Sequence, residues 1–159
     1  MIRAEVTKGR NLPSELRSVV PKLSSAVDKA VLRLALKMTA LVKTKLSGQV
    51  LKVRTGTLRR SINYKISRPS SQSTEAIVGT NVKYAAIHEY GGTIPARIVY
   101  PRTKMALKFQ MAGKTVFAKK AMIPSAKMPV RSFLRASLAE MTPEIKRELE
   151  AAVRMEFRK

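Results

Sequence analysis

The chain has no cysteine, no tryptophan and one histidine among its 159 residues. Without cysteine there is no disulfide framework, no thiol chemistry and no cysteine–histidine zinc site. With His88 as the single histidine and few carboxylates, the usual ligand count of a metal centre is not reached, and no cofactor motif occurs. A serine nucleophile would have only His88 as its base, and neither a G-x-S-x-G elbow nor a P-loop is present. "MAGKTVF" resembles the end of a phosphate loop, but the earlier glycine is missing, so Gly113 reads as a turn. No run approaches 18 apolar residues, so neither a membrane span nor a membrane partner is expected. "MIRAEVTKGR" lacks an apolar h-region, so no signal peptide is expected. Aromatic residues are only 5 %, and no helix-turn-helix, zinc finger or ribonucleoprotein motif appears.

Negative charge is also scarce. Ten Asp+Glu face 32 Lys+Arg, for a net charge of +22. The deficit is uneven. Between Lys29 and Ala136 there are 22 basic residues and two acids, Glu75 and Glu89, whereas Glu140–Lys159 holds five of each sign. Such a polycation attracts nucleic acid, anionic surfaces or acidic protein faces. Any DNA contact would run through phosphates, without sequence readout. Lys29, Arg33, Lys37, Arg59 and Arg60 are the candidate polyanion contacts. Glu75 and Glu89 as an acid–base pair would need a nucleophile or oxyanion motif beside them, and none is evident. They read as structural.

What is present is one mixed domain with a core of its own; 45 % of the residues are hydrophobic. "NLPSEL" opens a long helix, with Asn11 as cap and Pro13 in the first turn. Val20, Leu23, Val27, Val31, Leu34, Met38 and Leu41 recur at spacings of three and four, one apolar stripe. Pro21 marks a kink or the true start, and Ser47–Gln49 ends the helix. Thr55-Gly56 reads as a turn, with Thr57 capping a short helical turn. Ile62–Ser67 alternates like a half-buried strand, "RPSSQS" is a polar loop, and "TEAIVGT" returns as the second strand. "VKYAAIHEY" is a short helix, stopped by Gly91 in the left-handed region. Residues 95–129 read as an extended hairpin insertion, centred on Met105–Ala121. There Leu107, Phe109, Met111 and Phe117 supply apolar surface and Lys108, Lys119 and Lys120 supply charge, a mixture suited to a partner interface. "PVRSFLRASLAEM" resumes a helical period with Phe133, Leu134 and Leu138, and Thr142-Pro143-Glu144 signals the start of a terminal helix after it.

Three segments stand in a telling order: "RTGTLRRSI" (Arg54–Ile62), "VGTNVKYAAIHEYGGTI" (Val78–Ile94) and "MPVRSFLRASL" (Met128–Leu138). Together with the flanking helices they resemble the tail-completion, or head–tail joining, proteins of tailed bacteriophages, a group overlapping the virion morphogenesis and minor tail families. One departure is Ser132, where members often have proline in "ARPFL". The resemblance implies that Arg54, Thr55, Gly56, Leu58, Tyr84, His88, Gly91, Gly92, Arg131, Phe133 and Leu134 shape the fold and catalyse nothing. It implies an α+β domain: a long N-terminal helix packed on an antiparallel sheet, a projecting β-hairpin and a C-terminal helix. It further implies a non-enzymatic virion protein, closing with copies of itself into a ring of six. Its partners would be the head connector (adaptor) and the tail tube or tail terminator, with DNA passing between them. It would be found in the host cytoplasm during assembly. The residues alone leave open whether the charge faces DNA phosphates or acidic proteins. They also leave a basic nucleic-acid-binding protein as the alternative, and an enzyme acting on acidic polymers through His88 or Glu89 as a third reading.

Overall fold

The computed structural model describes residues 2–5, 14–70, 73–103, 105–111 and 113–157. The expected cap Asn11, Pro13, Lys104 and Ala112 of the hairpin turn lie outside them. The chain divides into two compact units, residues 1–85 with 131–159, and residues 86–130.

In the first unit, helix α1 (Ser14–Thr44) runs unbroken through Pro21, which neither starts nor ends it. Its buried apolar residues, among those described, are Val27, Ala30, Val31, Leu34, Ala35, Met38 and Val42. The stripe is wider than the large side chains alone indicate, because Ala30 and Ala35 join it. Beyond Met38 it continues through Val42, while the expected Leu41 is only half-buried. The helix then loosens into one π turn, Lys45–Gln49, closed by Val50 N–H donating to Lys45 O at 2.9 Å. Leu46 stays buried there, and Gly48, at φ 128°, ends the helix.

Strands β1 (Ile2–Glu5), β2 (Asn63–Ser70) and β3 (Ser73–Gly79) form an antiparallel sheet in the order β1-β3-β2. β1 has no counterpart in the sequence reading. The polar loop expected over 68–73 is shorter than anticipated: β2 runs on to Ser70, which pairs with Ser73 past an irregularity after Ser67. Pro69 is tolerated in that irregularity because β2 is an edge strand. Helix α2 (Thr57–Ser61) is capped by Gly56 at φ 72°, not by Thr57. Thr57 is the first helical residue, and its N–H donates to Thr55 Oγ1 at 3.4 Å.

Helix α4 (Leu134–Phe157) also contains its expected start, since Thr142 and Pro143 lie inside it. The Thr142 hydroxyl donates to Leu138 O at 2.8 Å, a bond internal to the helix. Ser137, Met141, Ile145 and Ala152 keep one buried face across the proline, so packing overrides the local stop signal. Ser132 Oγ accepts the Ala136 N–H at 3.3 Å near the start of α4, so serine at this position satisfies an early helix amide.

The core has two parts. Leu34, Met38, Val42, Leu46, Ile62, Ala85, Phe133, Met141 and Ile145 form one cluster, and Val27, Val31, Ala35 and Ala76 form the other. The second cluster places α1 against the sheet; the first joins α1 to α4.

Helix α3 (Ala85–Tyr90) begins later than expected. Val82 and Tyr84 precede it in a turn, where Val82 O accepts the Ala85 N–H at 3.0 Å. The second unit is a ribbon of nested antiparallel pairs: β4 (Gly92–Ile94) with β9 (Ala126–Met128), β5 (Arg97–Val99) with β8 (Ala121–Ile123), and β6 (Leu107–Met111) with β7 (Lys114–Ala118). Between the first two pairs, Pro95 and Ala96 stand opposite Pro124 and Ser125, so the register is kept while the ladder is broken. Between the second and third, the connection from Val99 to Leu107 is longer than the one from Ala118 to Ala121, which spans only Lys119 and Lys120.

Candidate functional site

The "IHEYGG" segment was the strongest candidate for chemistry. His88 is half-buried in α3 and Glu89 is 3 % exposed. Glu75 lies on β3, in register with Arg3 and Ser67. Among the described residues, no three His, Cys, Asp or Glu side chains converge as metal ligands do. The two glycines have a geometric task. Gly91 takes φ 71° where α3 stops, and a Cβ there would lie 3.0 Å from Val130 Cγ2 and 3.1 Å from Met128 O. Gly92, at φ 147°, opens β4 opposite Met128. The pair turns the helix directly into the ribbon.

The ribbon is the second candidate. Leu107 pairs with Ala118 and Phe109 with Val116, a half-buried face. Met111 pairs with Lys114 at the end of that face and is exposed. Phe117 pairs with Lys108, and this register puts both on the opposite face. The four apolar residues named from the sequence therefore do not form one strip. Both faces carry an apolar residue beside a cation. Further down, Ile98 (54 % exposed) pairs with Met122 (76 %), and Met105 is 95 % exposed. Lys119 and Lys120 occupy the shorter connection between the second and third pairs. From Tyr90 to Val130 the chain has eight basic residues and no acid.

The third candidate is the cationic surface of the first unit, which proves to be two surfaces. Arg33 and Lys37 turn to α4. Lys37 Nζ donates to Glu144 at 2.6 Å and to Glu148 at 2.5 Å, Arg33 Nε lies 3.5 Å from Glu148, and Lys45 Nζ reaches Glu140 at 2.7 Å. Rising α1 numbers meet falling α4 numbers, so the helices are antiparallel. The hydrogen bonds to Glu144 and Glu148 raise the Lys37 pKa. The hydrogen bond from Lys37 lowers that of Glu148, against the opposing effect of burial. Glu140, Glu144 and Glu148 repeat every four residues, which puts them on one face of α4, but only the packing of α4 on α1 assigns them to Arg33, Lys37 and Lys45. Lys29 is exposed. It borders an open groove of about 610 Å³, lined by Lys22, Lys29 and Arg33 on one side and Ala152, Met155 and Glu156 on the other.

Arg54, Thr55, Thr57, Arg59 and Arg60 are exposed around α2, whereas Leu58 packs on the core. Arg60 Nη2 donates to Thr55 O at 3.1 Å, so its guanidinium lies over Gly56. Tyr84 and Arg131 are exposed, Phe133 is fully buried and Leu134 packs against the core. Among the described residues, no helix is long and apolar enough to cross a membrane.

Comparison with known proteins gives one match. The model of a family described as the phage virion morphogenesis family matches residues 34–157. No curated protein and no solved structure matches the chain.

Proposed function

The chain belongs to the phage virion morphogenesis family, and on that premise we propose that it is a non-enzymatic structural protein of the virion neck. In this reading six copies close into a ring at the head–tail junction, between the head connector and the tail tube or tail terminator, and DNA passes through the ring. Family membership itself carries a structural or assembly role in a phage particle.

The ribbon is the observation that supports the finer reading. Two-stranded pairs bury too little surface to be stable alone in water. This ribbon nevertheless exposes Ile98, Met105, Phe117 and Met122 among cations. Apolar side chains set within charge are what a protein interface uses for its centre and rim. Membrane insertion would collect the apolar residues on one face, but here both faces are mixed. An acidic protein partner that grips both faces fits the pattern.

Replacing residues 105–121 with a short Gly/Ser linker tests this. The first unit has its own core and should stay folded by circular dichroism, while complementation of a phage lacking the gene should fail. Wild-type yields of infectious particles from the trimmed chain would refute the docking role. Electron microscopy of virion necks showing a lone copy would refute the ring.

A further inference from the structure

The positive charge of the first unit is neutralised unevenly. α4 answers Arg33, Lys37 and Lys45, and Asp28 holds Arg68 at 2.5 Å. The elbow that leads from the π turn into the first residues of β2 has no such service. Lys52, Arg54, Arg59, Arg60 and Lys65 are all exposed there. No carboxylate among the described residues lies within 4.0 Å of any of them. The sequence has no acid at all between Asp28 and Glu75.

The elbow is also built to present these groups. Leu58 anchors α2 in the core, which leaves Arg59 and Arg60 outside. The bond to Thr55 O fixes Arg60 across the Gly56 turn and uses one of its five N–H groups. The exposed Thr55 and Thr57 hydroxyls, bonded to each other at 3.0 Å, keep one O–H free between them, and the Asn63 amide, which donates one N–H to Ser61 O at 3.4 Å, keeps a second. Every exposed polar side chain from 52 to 65 is therefore able to donate. Val53 and Tyr64 are the large apolar side chains exposed between 52 and 65.

A protein interface needs apolar surface at its centre; among the described residues, the ribbon exposes seven large apolar side chains from Ile98 to Ile123, whereas the elbow exposes two. A phosphodiester backbone asks for the elbow's composition, with cations and neutral donors together. The planar forks of three arginines match phosphate oxygens in pairs. We infer that the elbow, Lys52–Lys65, binds the phosphodiester backbone of nucleic acid without reading its sequence. This inference does not depend on the ring.

The test is fluorescence anisotropy of the full chain with a mixed-sequence DNA duplex and with a single strand of equal length, across a salt series. Arg54→Gln/Arg59→Gln is the informative variant, since neither side chain has a partner among the described residues, and circular dichroism checks its fold. If each arginine meets one phosphate, the slope of log affinity against log salt becomes shallower by about 1.8 on the duplex. At 0.1 M salt that corresponds to binding roughly 60-fold weaker, taking 1 M as the point of equal affinity. On the single strand the slope should fall by about 1.4. Lys108→Gln/Lys119→Gln/Lys120→Gln removes three charges from the ribbon and should keep the wild-type slope. Wild-type binding by the elbow variant would overturn the inference. So would an equal or larger loss in the ribbon variant, which would mark a diffuse field. Absence of a ring from virion necks would defeat the neck reading and leave these slopes unchanged.

Discussion

Gly91 and Gly113 form a natural pair for measuring what the helix-to-ribbon junction demands. Both have left-handed backbone, φ 71° and φ 78°. An alanine at either position meets the same conformational penalty, about 1–2 kcal/mol. Alanine also restricts the unfolded chain equally in the two variants, which offsets about 0.4–1 kcal/mol in each. Only the surroundings differ. A Cβ at Gly113 would have no atom within 4 Å, whereas at Gly91 it would meet Val130 Cγ2 at 3.0 Å, Met128 O at 3.1 Å and Val130 N at 3.2 Å. Two of those three are backbone atoms next to the Gly92–Met128 pairing, so they cannot rotate aside. Overpacking of this kind costs about 1–3 kcal/mol, and this is the expected excess of Gly91→Ala over Gly113→Ala. Denaturant unfolding of the two variants gives the difference, and hydrogen exchange should locate it at the β4 and β9 amides. Equal costs for the two variants would show that Gly91 is required only for its φ and that the close approach is slack.

Phe133→Ala should cost about 3–5 kcal/mol, because the ring is fully buried among Leu34, Ile62 and Met141 and its removal leaves a cavity; a loss under 1 kcal/mol in denaturant unfolding would mean that the site collapses around the gap. Glu148→Gln tests the helix clasp through pH. The folded carboxylate titrates below its ordinary value of 4.5, so its contribution is complete above that value and is lost as pH falls through the lowered one. The stability gap between wild type and Glu148→Gln should accordingly be flat at neutral pH and close in acid, and a gap that persists unchanged into strong acid would remove the ion pair as its cause.

The main elements were legible where pattern and chemistry agree. The apolar spacing from Val27 to Met38 specifies α1, and the alternation in Ile62–Ser67 specifies β2. Gly91 marks the end of α3, because few residues other than glycine accept its φ. Errors arose where a local signal met a stronger tertiary one. Thr142-Pro143 has the form of a helix start, yet the buried face from Ser137 to Ala152 is continuous across it, and burying that face outweighs one lost backbone bond. The polar composition of "RPSSQS" has the form of a loop, yet β2 runs through Pro69 to Ser70 because it is an edge strand, a fact of topology that no local window contains. β1 was missed because four residues carry too little pattern to stand out.

The site was legible as a quantity of charge and illegible as a distribution. A net charge of +22 says that a polyanion is attracted, but a cation contributes to binding only if the fold has not already given it a carboxylate. Arg33 and Lys37 stand in the sequence just as Arg59 and Arg60 do, in an acid-poor stretch. The acids that take the first two lie more than a hundred residues away, on α4. Their antiparallel register makes Glu144 and Glu148 neighbours of α1. Phe117 carries the same lesson for the ribbon. Its face depends on whether it pairs with Lys108 or with a residue one step along, and a single step of register exchanges the two faces of a strand. The turn at Gly113 sets that register by placing Met111 opposite Lys114, and every pair down to Leu107–Ala118 follows from it.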